Sequence, residues 1–346
     1  MATDTSTTNM PSDASNTLEA SNQSFDHFFT FDGGDVEITV MIQGERVKGK
    51  VASQAMVLAS SVWKKFIFPP WEINSCSQLK TIDFTDDACT LLILLRLAHL
   101  QSTMVPTTLS LETLFQAAVQ TEKYDCVKLV HLILDKWLLA VKDEASKDDC
   151  GKWLYICWAF DQEESFNEVA LRMTKSLKVM GGVCLTSTGK PLSEPLPDKI
   201  IENIMSIRAD TVQGILDLVY VEVEKYSRLN CADTILCKSG RMSCDAMVYG
   251  SLLNGLQQRG LWPAIEASQL ILSINEIASM IRELKIYTPL RTGGRSGPTH
   301  FDCSTFRGWL AMEQLLRDMP TPGLGCHHHT HEKPTRFDNS RRRSPN

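Results

Sequence analysis

Cysteine and histidine are the side chains in this sequence whose types and spacing could do chemistry. Cys231, Cys237 and Cys244 fall six and seven residues apart, and His300-x-x-Cys303 has the spacing of a ligand pair. Thiolate and imidazole are the donors that zinc takes in tetrahedral sites. Cys237, Cys244, His300 and Cys303 are therefore the candidate set. Zinc sites usually carry closer pairs, C-x(2–4)-C, and the chain has none. Cysteine is also a small core residue. The expectation is that these side chains are buried or idle and that the chain binds no metal.

The run Cys326-His327-His328-His329-Thr330-His331-Glu332-Lys333-Pro334 has the H-x3-H spacing of a zinc finger but lacks the upstream cysteine pair. It reads as a tail that takes up zinc or nickel loosely. For nucleophilic or phosphate chemistry there is no G-x-S-x-G elbow, no Gly-rich loop ending in Lys-Ser or Lys-Thr, and no H-E-x-x-H. Gly33-Gly34 reads as the opening of a strand, and His99 and His131 fall in predicted helices where packing or surface roles are expected. The expectation is no enzyme, no cofactor and no small-molecule substrate.

Composition sets the class. The chain has 346 residues, 43% hydrophobic and 22% charged, which is ordinary for globular domains. A net charge of −6 speaks against nucleic-acid binding, which needs clustered cations to release counterions. Arg341-Arg342-Arg343 reads as a solvated tail, with nuclear import as the alternative. Residues 1–24 are polar without an apolar core segment, so secretion is not expected. The longest apolar run, Leu91–Leu95, falls far short of the roughly 20 residues a membrane helix needs. Eleven cysteines without a secretion signal imply reduced thiols and a cytoplasmic or nuclear protein.

The elements that must position these residues follow from periodicity. Val36, Ile38, Val40 and Ile42 alternate with Glu37, Thr39, Met41 and Gln43 as a half-buried strand. Gln43-Gly44-Glu45 turns the chain and residues 46–51 return as a second strand. A helix is predicted over 54–66, a short strand at 81–84, and a buried Leu-rich helix that Thr85 caps. Helices over 110–121 and 124–140 complete the first part. From 141 onward the signal is helical, with Gly181-Gly182 as a helix stop. Two helices are expected between Ile200 and Val223, one from Ser243 to Leu256 and one over 269–285. Pro191–Pro197 reads as a linker, 291–300 as a loop, and the chain past Pro320 as tail.

Four segments in this order resemble a BTB/POZ domain. They are Gly34-Asp35-Val36, Leu58-Ala59-Ser60, Ile82-Asp83-Phe84-Thr85-Asp86-Asp87 and Glu122-Lys123-Tyr124-Asp125-Cys126. The spelling from Ala59 to Pro70 resembles a group of fungal BTB proteins. The helical stretch 141–228 resembles a BACK-type extension in position. Many members carry a His where this chain has Gln54, close to the residue matched by Asp35, so the resemblance does not extend to dimer-pocket chemistry that depends on that pair. Members that recruit a cullin ligase carry an apolar-x-Glu motif, for which Pro69-Pro70-Trp71-Glu72 is no clear match.

The resemblance implies an α+β fold: a BTB/POZ-like domain, a small sheet capped by helices, followed by an all-helical C-terminal region. Its divisions are a disordered tail over 1–24, the BTB-like domain over 25–140, a BACK-like region over 141–230, helices over 231–316, and a tail over 317–346. It implies a scaffold or adaptor that binds protein partners and forms a homodimer. The interface implied is Asp35, Val62, Trp63 and Phe66. The aromatics Trp63, Phe66, Phe68 and Trp71 are either core or a partner's anchor, and core is the expectation. The alternatives are a transcription-linked regulator, a ubiquitin-ligase substrate adaptor and, from another class, a zinc-stabilised C-terminal module. Membrane and nucleic-acid partners are not expected.

Overall fold

A computed structural model describes residues 25–69, 81–145, 151–192, 195–227, 235–289, 300, 303 and 308–323. The expectations for the 1–24 tail, Trp71-Glu72, Cys231, loop residues 291–299, the His-rich run and the terminal arginines lie outside the described residues.

The alternating segment forms β1 (Val36–Ile42), with Val36, Ile38, Val40 and Ile42 all buried. β2 (Glu45–Val51) returns antiparallel, placing Val47 opposite Val40 and Val51 opposite Val36. Gln43 and Gly44 turn the chain with φ of 50° and 89°. Two successive positive φ values match the twist of the strands they join. Gly49 leaves room for the chain before the sheet: a Cβ there would stand 2.4 Å from the Phe29 carbonyl oxygen, in the 3-10 helix Phe25–Phe29. β3 (Thr81–Phe84) pairs parallel with β1, giving the order β2-β1-β3. A parallel neighbour needs a crossover, which includes α1 (Ser53–Ala59) and α2 (Ser61–Ile67).

The single helix expected over 54–66 is therefore two. Ser60 is extended at φ −148° and ψ 129°. Its hydroxyl accepts from the Trp63 amide at 2.9 Å and donates to the Tyr124 carbonyl. A serine that caps the following turn competes with helix continuation. At α3 (Ala88–Ala98) the cap is Asp87 rather than Thr85, its carboxylate accepting from the Thr90 amide at 2.8 Å. Ser110 caps α4 (Leu111–Lys123). Tyr124 closes α4, Asp125 takes φ of 48°, and a 3-10 turn at Val127–Leu129 delays α5 to His131–Ala145.

The later chain is mostly helix, with one correction. After α6 (Gly151–Ala159) and α7 (Glu163–Ser176) comes a hairpin, β4 (Lys178–Met180) and β5 (Val183–Leu185). Gly181 and Gly182, at φ 58° and 80°, form its turn instead of stopping α7. The region expected to be all-helical thus contains a small sheet. α8 (Ile200–Ser227) runs unbroken where two helices are expected. α9 (Met242–Gln258) starts one residue before the Ser243 expected as its cap. α10 (Ile274–Arg282) is shorter than expected, since the reciprocal Ser273–Glu276 capping box sets its start. α11 (Trp309–Arg317) closes the described chain.

The result is a mixed α and β chain, mostly helical, with one three-stranded and one two-stranded sheet among the described residues. One apolar core runs from Phe29 to Ile204, a second from Val212 to Met319. A third, small cluster holds Tyr226, Cys237, Cys244, Val248 and Cys303. Among the described residues, no helix is long and apolar enough to cross a membrane.

Candidate functional sites

Three of the four segments that carry the family resemblance meet at Tyr124. Its ring packs against Trp63 at 5.4 Å, Phe84 at 5.8 Å and Phe66 at 6.4 Å between centroids. Its hydroxyl donates to the Asp86 carboxylate, which also pairs with Lys123 at 2.6 Å. Burial, then the Asp86 hydrogen bond and charge, push the Tyr124 phenol well above its ordinary value. Ser60 donates to the Tyr124 carbonyl, and the Ser61 hydroxyl donates to the Asp125 carboxylate at 2.6 Å. Sequence reading picked out these segments one by one; their hydrogen bonds join residues about 40 to 60 positions apart and have no local signature.

The four expected interface residues divide. Trp63 is fully buried. Val62 is half-buried against the same core, while Phe66 is 43% exposed. Phe68, expected in the core, is 61% exposed, and Leu58 is 87% exposed. The exposure of Leu58 has no local signal, because an apolar helix residue reads as core in sequence. Asp35 holds the start of α1, its carboxylate accepting from the Ser53 amide and hydroxyl, each at 2.6 Å. Those two bonds keep the Asp35 carboxyl below the usual range. Gln54 stands beside this contact in sequence, and the contact is made by Ser53.

The second candidate is the Cys/His set, and here the structure brings together what the sequence keeps apart. Cys237 sits in the turn before α9, Cys244 in the first turn of α9, and His300 and Cys303 on a segment that returns from much later in the chain. All four are buried, and their ligand atoms lie within 4.8 Å of one another. Cys237 Sγ is 3.5 Å from His300 Nδ1. The Cys303 amide donates to the His300 carbonyl at 3.0 Å, which folds that pair into one turn. The Gly240 amide donates to the Cys237 carbonyl at 2.8 Å, closing the other turn.

The thiols sense one another. Burial alone raises Cys237, but the amides of Arg241 and Ser239 and the thiols of Cys244 and Cys303 donate to its sulfur and bring it below the ordinary value. Burial, with the two neighbouring sulfurs, pushes Cys244 up to about 12. Burial also raises Cys303. Asp245, buried beside Cys244, accepts from the Leu236 amide at 2.8 Å and so secures the turn that carries Cys237.

His99, expected to pack, lies against Phe31 with ring centroids 4.1 Å apart. Its Nδ1 donates to the Leu95 carbonyl at 2.7 Å and its Nε2 accepts from the Ala52 amide at 3.0 Å. A shallow cavity lined by Lys175, Asn275, Arg282, Glu313, Leu316 and Arg317 lies elsewhere, with Arg282 paired to Glu313 at 2.9 Å. No family model matches this chain, and no curated protein matches it.

Proposed function

We propose that this chain is a protein–protein interaction module, a scaffold or adaptor that pairs with a second copy of itself through α1 and α2. The observation that carries this reading is the exposure of Leu58, Phe66 and Phe68 within one short stretch of sequence, with Phe66 edge-on to the Tyr124 ring that packs on the buried Trp63. Single apolar side chains are common on protein surfaces, whereas clustered ones mark contact sites. Large aromatic and aliphatic anchors contribute most where they leave water together. The order of the resembling segments, and their hydrogen bonding around Tyr124, support a BTB-like use of this face.

The test is the solution mass of the full chain by light scattering over a wide concentration range. A dimer is expected, and Leu58→Glu and Phe66→Glu are expected to weaken it at least tenfold with an unchanged circular dichroism spectrum. A monomer at every concentration, or a dimer that neither variant weakens, overturns the reading. The full chain is the right material, because α4 packs on α6 and both contribute to the first core.

A further inference from the structure

His300 is the side chain that apolar packing does not explain. It is 7% exposed, its Nδ1 lies 3.5 Å from the Cys237 sulfur, and its Nε2 has no hydrogen-bond partner among the described residues. Leaving a buried polar nitrogen unpaired costs stability, and the cluster beside it is small. Among the described residues its buried members are Tyr226, Val248 and the three cysteines, with Leu236, Tyr249 and Ile286 partly buried against them, little apolar material to fasten three separate chain segments. A disulfide would also leave groups over, since pairing any two sulfurs strands the third with the imidazole. All three cysteines are free thiols.

We propose that Cys237, Cys244, His300 and Cys303 hold one zinc ion in a closed tetrahedral site, which fastens the 237–240 turn and the 300–303 segment to the start of α9. Zn–S near 2.3 Å and Zn–N near 2.0–2.1 Å put tetrahedral ligand atoms roughly 3.6–3.8 Å apart. The Cys237–His300 pair is already at 3.5 Å, and every other pair lies within 4.8 Å, so closure asks for small shifts. Three soft thiolates and an imidazole select zinc over calcium or magnesium, which take oxygen ligands. Four protein ligands leave no open position, so the role is structural.

The surroundings fit as well. Backbone amides of Ser239 and Arg241 donate to the Cys237 sulfur, and the Lys238 amide to that of Cys303. Such donors orient ligands and moderate thiolate charge. On binding, the three thiols release three protons to solvent and the imidazole stays neutral. The loaded site then carries a net charge of −1, and no electron is transferred.

The experiment is metal analysis of the full-length, untagged chain, with His327, His328, His329 and His331 changed to Ala so that the tail contributes nothing. About one zinc per chain is expected, falling at least tenfold in Cys244→Ser and in Cys303→Ser. Because those variants can fail to fold, the unsubstituted site is also reconstituted with cobalt(II). Intense visible bands of a tetrahedral thiolate centre are expected. Folded protein without metal, a disulfide between any two of the three cysteines, or the pale spectrum of six-coordinate cobalt overturns the proposal.

Discussion

Trp63 and His300 are both buried, both carry a ring nitrogen without a hydrogen-bond partner among the described residues, and they sit in different surroundings. Around Trp63 stand Tyr124, Phe84 and the rest of a core that runs from Phe29 to Ile204. One orphaned indole N–H is small against that apolar burial. Among the described residues, His300 stands with three sulfurs beside a small apolar cluster of Tyr226, Val248 and the partly buried Leu236, Tyr249 and Ile286. The first region is stabilised by removing area from water, and a single polar defect is tolerated. The second has a small apolar cluster, and on the proposal above a bound zinc ion supplies the rest.

The largest expected effect follows from the first half of that contrast. Trp63→Ala should cost about 3–5 kcal/mol, as large aromatic truncations do, read as a lower urea midpoint. Its cost should be the same with and without a strong chelator. Chelation alone should speed hydrogen exchange in 236–252 and leave β1 protected. Faster exchange in β1 on chelation would break the separation between the two regions.

Next in size is Tyr124→Phe. The ring contacts remain and the bond to the Asp86 carboxylate is lost, a charge-assisted bond worth about 1.5–3 kcal/mol. No measurable loss would show that packing alone secures this junction. Ser60→Ala removes the α2 cap and the bond to the Tyr124 carbonyl together, and about 1 kcal/mol is expected. If α1 and α2 then fused into one helix, circular dichroism would show a gain in helicity instead of a loss of stability.

The smallest effect concerns pH. Burial lowers the His99 pKa, against a raising contribution from the Leu95 carbonyl, and Nε2 must stay unprotonated to accept from Ala52. A folded pKa below the unfolded value, near 6.5, means the contribution is full above that pH. It is lost as pH falls from there toward the folded pKa. Thermal melts at pH 7.5 and 5.5 should show a greater loss for the wild-type chain than for His99→Gln, which keeps an acceptor. Equal losses would assign the acid sensitivity to other groups.

Much of the fold was legible from local signals. The period-2 run of β1, the Gln43-Gly44 turn and the Leu-rich α3 follow from rules that act over a few residues. At two of the departures a longer-range contact decides. Ser60 breaks the predicted helix partly because Tyr124 supplies its hydroxyl with an acceptor. The glycines at 181 and 182 stop a helix or turn a hairpin by the same chemistry, and only pairing of 178–180 with 183–185 selects the hairpin.

The sequence by itself determined that the chain carries the donor types of a zinc site, and that residues 36–42 form a strand with one apolar face. It did not determine that Cys237, Cys244, His300 and Cys303 meet, because no periodicity links the first pair to the second across so long a stretch of chain. Tertiary structure decided that by returning 300–303 to the start of α9. It also decided which aromatics face water, burying Trp63 and exposing Phe66, since helical spacing specifies a face and only packing specifies what covers it.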